Sequence, residues 1–269
     1  MGLMEKTTLE KSILEERKGS IRLMESTCSG QGIKCDTDSV SGSVSQRACV
    51  YCGARVVLNP ITDAFHIVHG PIGCASYTWD IRGSLSSGDD LYRNSFSTDL
   101  RETDVIFGGE KKLIAAIEEV ALKYHPKVIF IYATCIVGVI GDDVDAVCRT
   151  MSSKYGIPVI PVKSPGFSGN KSTGYRMACN AIMEVIKPYK DREKVKGINI
   201  LGDFNLAGEM WIIKDYLKQI GIEVIAGLTG DSDYESLIKA PGAALNVVQC
   251  AGSSTYLAKR SEERRVGKE

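Results

Sequence analysis

From residue 104 onward, short apolar runs alternate with longer stretches in which apolar residues return every three or four positions. "DVIFGG" (104–109) predicts a strand ending in glycines, and "EKKLIAAIEEVALKYH" (110–125) carries a helical stripe of Leu113, Ile114, Ile117, Val120, Ala121 and Tyr124. "KVIFIYA" is a nearly unbroken apolar run, as a parallel strand covered on both faces requires. "DDVDAVCRTMSSKYG" predicts a helix closed by Gly156, "IPVIPV" (157–162) a strand, and "KSPGFSGNKSTG" a loop before the helix "YRMACNAIMEVIKPY". A second unit opens at "GINILGDF": helix "AGEMWIIKDYLKQIG", strand "IEVIAGL", short helix "DYESLIKA" and strand "LNVVQC". The alternation predicts an α/β fold of Rossmann-like, doubly wound parallel-sheet units with right-handed crossovers.

The flanks break this rhythm. A helix over 6–18 leads into "CSGQGIKCDTDSVSGSVSQ", polar and rich in serine and glycine, so 1–45 reads as an N-terminal helix and polar arm. The first α/β domain then spans 46–190, and a second, incomplete one spans 191–260. Residues 261–269, "SEERRVGKE", read as a charged, non-native tail behind the helix "STYLAKR", and the chain as truncated there.

Charge narrows the function classes. Lysine plus arginine equals aspartate plus glutamate, 33 against 33, which leaves no general attraction for nucleic acid or anionic membranes. The opening "MGLMEKTTLEKSILEERKGS" lacks the apolar centre of a secretory signal, and no apolar run reaches a membrane-spanning length. Nine cysteines without an export signal point to a cytoplasmic protein whose thiols are filler, metal ligands or reactive groups.

Where those thiols fall is the chemical clue, because open α/β sheets bind ligands beyond the carboxyl ends of their strands. Cys135 follows the strand ending at Ala133, Cys250 ends "LNVVQC", and Cys74 follows "HIVHGPIG". Cys49 and Cys52 lie in "RACVYCGA", ahead of the first regular unit. Glycines beside them let backbone approach a bulky inorganic group, and soft thiolates select zinc, copper(I) or iron–sulfur clusters. Taken alone, a strand-end cysteine is more often filler than ligand, and for Cys148 and Cys179, inside helical patterns, filler is preferred more strongly still. "CVYC" alone fits half a zinc site or a redox pair, without the second pair or thioredoxin context either needs. Cys28 and Cys35, in the polar arm, read as exposed and inert. His66 and His69 are an odd number of residues apart in one strand and so point to opposite faces. Asp142 and Asp143 are explained by capping of the helix they open.

"HIVHGPIGCASYTWDIRG", "TDVIFGGEKKL", "TCIVGVIGDDVDAV" and "PVIPVKSPGFSG" together resemble the nitrogenase component 1 superfamily, over roughly residues 46 to 258. The resemblance implies about two of that superfamily's three Rossmann-like domains. It is strongest to the scaffold branch, on which the precursor of the iron–molybdenum cofactor is matured. It implies that Cys49, Cys74 and Cys135 hold a 4Fe–4S cluster at a subunit interface and that Cys250 binds the precursor, an 8Fe-type cluster. Lys171 and Arg82 are then candidates for positive charge near an anionic cluster or its organic acid, and Trp79 is similar to a tryptophan of the scaffold branch. Molybdenum and homocitrate pass through transiently. The implied partners are a NifN-type β subunit in an α2β2 assembly, NifH as electron and molybdenum donor, and NifB as precursor source. The rivals are the catalytic nitrogenase α subunit and a nitrogenase-like reductase subunit acting on an organic substrate. The catalytic subunit carries a histidine pair where this chain has Tyr175-Arg176, and an arginine run before Asn-Tyr-Tyr where it has "TWDIRGSLSSG".

Overall fold

The computed structural model describes residues 48–78 and 94–266, with side chains through Ser261. The polar arm, Cys28, Cys35, Trp79 and Arg82 lie outside the described residues.

Helix α1 (Val50–Leu58) leads to strand β1 (Ala64–His69) and helix α2 (Ile72–Thr78). After β2 (Ser95–Ser97) come α3 (Glu102–Phe107), α4 (Glu110–Tyr124), β3 (Val128–Ala133), α5 (Cys135–Ile140), α6 (Val144–Tyr155), β4 (Val159–Lys163) and α7 (Lys171–Ile186). These strands form one sheet in the order β2-β1-β3-β4, every neighbouring pair parallel. The chain continues through β5 (Val195–Leu201), α8 (Glu209–Gln219), β6 (Val224–Leu228), α9 (Tyr234–Lys239), β7 (Ala243–Val248) and α10 (Ala251–Val266). Its three strands form a second parallel sheet, ordered β6-β5-β7.

Side-chain alternation along the strands explains why helices cover both faces of the first sheet. Ile67, Ile129 and Ile131 pack with Leu113, Ile117 and Val120 of α4 and Val147, Cys148 and Met151 of α6. Val68, Phe130 and Tyr132 face the other way, into α1 and α7. All of β3 is buried, as a central parallel strand should be. The α1/α7 core continues into the second sheet through Leu201, Ala226 and Leu228.

Between α1 and α7 the approach is backbone to backbone. A Cβ on Gly53 would lie 2.1 Å from the Lys171 carbonyl, and one on Gly174 would lie 2.0 Å from that of Val50. Both positions need glycine for lack of space.

Three elements differ from expectation. Residues 104–109 are helical through Phe107: the Asp104 carboxylate accepts from the Arg101 N–H at 2.7 Å and caps the first turn, and the sheet edge is taken by β2, which alternation did not reveal. The apolar run there is surface, with Ile106 and Phe107 mostly exposed. Helix α7 starts at Lys171, inside the expected loop, because Asn170 caps it by accepting from the Thr173 N–H at 3.2 Å. Helix α10 continues to Val266, through residues assigned to the charged tail.

Candidate functional site: a thiol-lined strand end

Strands β1, β3 and β4 end in register, with His69 paired to Ala133 and Ala133 to Lys163. The segments leaving them therefore emerge side by side. Beyond β1 runs Gly70-Pro71 into α2 and Cys74; beyond β3 come Thr134 and Cys135; beyond β4 come Ser164, Pro165 and Gly166. Thr134 joins the first two by donating its hydroxyl to the His69 carbonyl at 3.0 Å. A Cβ on Gly70 would lie 2.1 Å from that hydroxyl, so the glycine of "HGPIGC" makes room for it. Ser164 N–H donates to the Ala133 carbonyl at 3.1 Å, holding the third segment against the second.

Cys49 arrives from the other side, as N-cap of α1, its backbone bridged to Asn170 at the start of α7. Cys135 and Cys49 converge on Gly166: a Cβ there would lie 3.0 Å from Cys135 Sγ and 3.6 Å from Cys49 Sγ. The Gly166 N–H donates to Cys135 Sγ at 3.0 Å. Burial pushes the Cys74 thiol up, and the thiols of Cys135 and Cys49 push it further. The structure thus brings together the three cysteines singled out from sequence, 86 positions apart at the extremes (Cys49 to Cys135). Cys135 is exposed and the other two are half-buried.

Cys52 also belongs to this neighbourhood. Its Sγ is 3.6 Å from Cys49 Sγ. The Cys52 thiol, helped by N–H groups of α1's first turn, lowers Cys49 to about 6, while the same contact and burial push Cys52 up. By contrast Cys148 and Cys179 are buried in helices, each raised to about 12 by desolvation, as filler should be.

The donor chemistry fits an iron–sulfur cluster. Thiolates gathered this closely repel and need a cationic centre to coexist, and glycine lets backbone N–H groups reach sulfur. Among the described residues, no group of three or more His, Cys, Asp or Glu side chains is gathered tightly enough to hold one metal ion. A polynuclear cluster asks less proximity, since each thiolate binds its own iron.

Cys250 lies elsewhere, between β7 and α10 and half-buried. Gln249 N–H donates to the Leu201 carbonyl at 2.8 Å, which ties this segment to the end of β5. Gly202, at φ +89°, adopts a backbone that favours glycine, and a Cβ on it would lie 2.9 Å from Cys250 Cβ. Asp203 beside it is buried, and desolvation pushes its carboxyl up. Nothing in the sequence singled it out.

Lys171 opens α7 beside α1, its ammonium 5.7 Å over the Tyr175 ring. Further along α7, Cys179 Sγ meets the Ser253 carbonyl of α10 at 3.6 Å. That contact is eight residues on, about 12 Å along the axis, so Lys171 sits toward the thiol trio.

The two strand histidines face opposite ways, as the spacing required. His66 Nδ1 meets the Tyr132 hydroxyl at 2.9 Å in the α1/α7 core. His69 Nε2 donates to Asp142 at 3.1 Å, and its Nδ1 accepts from the Thr98 hydroxyl at 3.0 Å. Burial lowers His69 despite that carboxylate, which keeps the ring neutral and fixes this tautomer. Asp142 also accepts from the Gly109 N–H at 3.1 Å. Of the acidic pair, Asp143 caps α6 as expected; Asp142 instead braces the end of β1 against the start of α4.

Comparison with known proteins agrees with this architecture. The profile of the family described as "Nitrogenase component 1 type Oxidoreductase" matches residues 49–265. The "Nitrogenase iron-molybdenum cofactor biosynthesis protein NifE" of Clostridium pasteurianum is 68% identical, over 94% of this chain and 56% of its own length. The protein of that name in Methanosarcina barkeri is 56% identical, over 91% of this chain and 56% of its own. A solved structure described as "Nitrogenase Cp1 at pH 6.5" superposes with a TM-score of 0.77 at 41% identity, covering 84% of this chain and 45% of that one. The chain spans about half the length of the curated relatives it matches. It belongs to the nitrogenase component 1 family.

Proposed function

We propose that the protein to which this chain belongs is the α-type scaffold subunit on which the iron–molybdenum cofactor is matured. In this reading Cys49, Cys74 and Cys135 hold three corners of a 4Fe–4S cluster, and a NifN-type β subunit supplies the fourth ligand. The observation that carries it is the convergence of Cys49 and Cys135 on Gly166, with Cys74 on the segment leaving the neighbouring strand end. The cluster supplies one-electron transfer when bound; the protein supplies thiolates, an N–H donor to sulfur and an apolar wall.

Cys250 is the anchor for the cofactor precursor, an 8Fe-type cluster, while molybdenum and homocitrate are inserted. Lys171 and Arg82 supply positive charge toward the anionic groups. Around the thiol trio, Ile72, Tyr77, Val139 and Phe167 are largely exposed, which supports a partner subunit there. NifH as electron and molybdenum donor and NifB as precursor source complete the assembly, a cytoplasmic α2β2 complex. Among the described residues no helix is long and apolar enough to cross a membrane. Residues 46–190 and 191–260 form the first domain and part of the second.

The test is iron and acid-labile sulfide per chain, in protein purified without oxygen after co-expression with a NifN-type partner. Wild type is expected to carry about one 4Fe–4S cluster per αβ pair, and Cys135→Ala to lose it. Equal iron in both, in a folded complex, overturns the assignment.

A further inference from the structure

The thiol that the proposed ligand set leaves over is Cys52, and it touches a thiol that the set uses. Cys49 and Cys52 stand three residues apart at the head of α1, their sulfurs 3.6 Å apart. We propose that these two thiols close into a disulfide in the cluster-free chain, which withdraws Cys49 from metal binding until the pair is reduced. The consequence for loading rests on the reading of Cys49 as a ligand; the chemistry rests on the geometry of the pair.

A disulfide requires sulfurs about 2.05 Å apart and Cβ atoms near 4 Å, and positions i and i+3 of a helix share one face. Closing the remaining gap of about 1.5 Å takes side-chain torsions and an adjustment at the N-cap. Cys49 has the freedom to do this, because as N-cap its backbone is extended (φ −71°, ψ 175°) and outside the helical turn. The two thiols also differ in access. Cys49 is half-buried, whereas Cys52 is 1% exposed. An oxidant from solution therefore meets Cys49 first, and Cys52 reaches only what is already bonded to Cys49. That is the division between an attacking and a resolving thiol.

With a low-molecular-weight disulfide RSSR as oxidant, the Cys49 thiolate attacks one sulfur and expels RS⁻, leaving a mixed disulfide on Cys49. The Cys52 thiol gives up its proton and attacks Cys49 Sγ, which expels the second RS⁻. Two cysteine thiols are oxidised, one RSSR is reduced to two RSH, and both protons leave on the released thiols. A dithiol reductant reverses it. An unloaded Cys49 without such a partner is open to irreversible oxidation to sulfinic acid, so the pair keeps the empty site recoverable.

Both residues lie between Arg47 and Arg55 and fall in one tryptic peptide. Cluster-free full chain would be treated with glutathione disulfide, alkylated and digested. The expected result is a peptide lighter by two hydrogens, with neither cysteine alkylated until dithiothreitol is added. In Cys52→Ala and Cys52→Ser, Cys49 should instead keep the glutathione. Alkylation of both cysteines in wild type, or a link from Cys49 to Cys74 or Cys135, overturns the pairing. Oxidised wild type should take up less than about a tenth of the iron of the reduced protein from ferrous iron and sulfide, and recover on reduction. Equal uptake overturns the loading consequence while leaving the mapped disulfide intact. The peptide map does not depend on the cluster, so its failure is separable from failure of the Cys135→Ala test.

Discussion

Gly166 donates its backbone N–H to Cys135 Sγ at 3.0 Å, and the missing Cβ of the same glycine is what leaves space for that sulfur. One residue thus supplies both a donor and a vacancy. Gly166→Ala would push a methyl to 3.0 Å from Cys135 Sγ and 3.2 Å from Cys49 Cβ, and one of the two must shift. Outer groups that orient metal ligands typically contribute 10–100-fold to affinity, so iron retention against a chelator should weaken by about 10-fold or more. Unfolding by urea should change little. Unchanged retention would show that the N–H and the space are incidental.

The meeting of α1 and α7 leaves no room for a side chain. Gly174→Ala places a Cβ 2.0 Å from the Val50 carbonyl, backbone that cannot swing aside, so the helices must separate. The expected loss is about 1–3 kcal/mol in urea unfolding. Because Cys49 caps α1, iron per chain should fall in the same variant even where it stays folded. A drop in stability with full iron content would detach the helix contact from the thiol site.

Asp142 joins His69 and the Gly109 N–H in a buried cluster. Asp142→Ala leaves both donors without a partner and should cost about 2–4 kcal/mol. Thr98→Val removes the donor to His69 Nδ1 and should cost about 1–3 kcal/mol while keeping the shape. A neutral Thr98→Val would show that its hydroxyl, which also accepts from the Gly70 N–H at 3.1 Å, does not hold the end of β1.

His66 gives the fold an acid limit. Burial, and then the nearby Arg55 cation, hold its pKa well below the ordinary value. The ring is neutral in the folded chain, whereas the unfolded chain takes up a proton near pH 6.5. Below that pH the unfolded state binds more protons, so this contribution is fully present above about pH 6.5 and is lost as pH falls toward the folded pKa. The slope from this residue approaches about 1.4 kcal/mol per pH unit. Urea unfolding of wild type and His66→Gln between pH 7.5 and 5.5, values set about one unit either side of that pKa, should show a shallower decline in the variant. Parallel curves would mean that His66 is not held neutral.

Cys148→Ala and Cys179→Ala should each lower stability by about 1 kcal/mol and leave iron per chain unchanged. Loss of iron in either would move that thiol into the site.

The parallel sheet and its covering helices were legible because each element carries its own period: the unbroken run of β3 and the stripe of α4 need no tertiary information. The strand-end rule pointed to Cys74, Cys135 and Cys250 as candidates, and only the family resemblance assigned roles to them and to Cys49. Exposed hydrophobics defeated the reading of 104–109, since Ile106 and Phe107 look like strand core and in fact lie on the surface. Gly166 and Thr134 were invisible because their roles come from register: only the pairing of β1, β3 and β4 sets them against the thiols. Asp142 hid behind its neighbour, for two acidic residues at a helix start satisfy the capping rule and one of them was not needed for it.

Helix α7 touches α1 through bare backbone at one end and α10 through Cys179 and Ser253 further along. The first contact holds the helix that begins at Cys49, and the second holds the helix that begins just after Cys250. The span between the two thiol regions is therefore metered by a rigid rod of main chain, with no loop in the path. In the proposed reading a rod of this kind acts as a ruler, setting the distance between the cluster held by the thiol trio and the precursor anchored at Cys250.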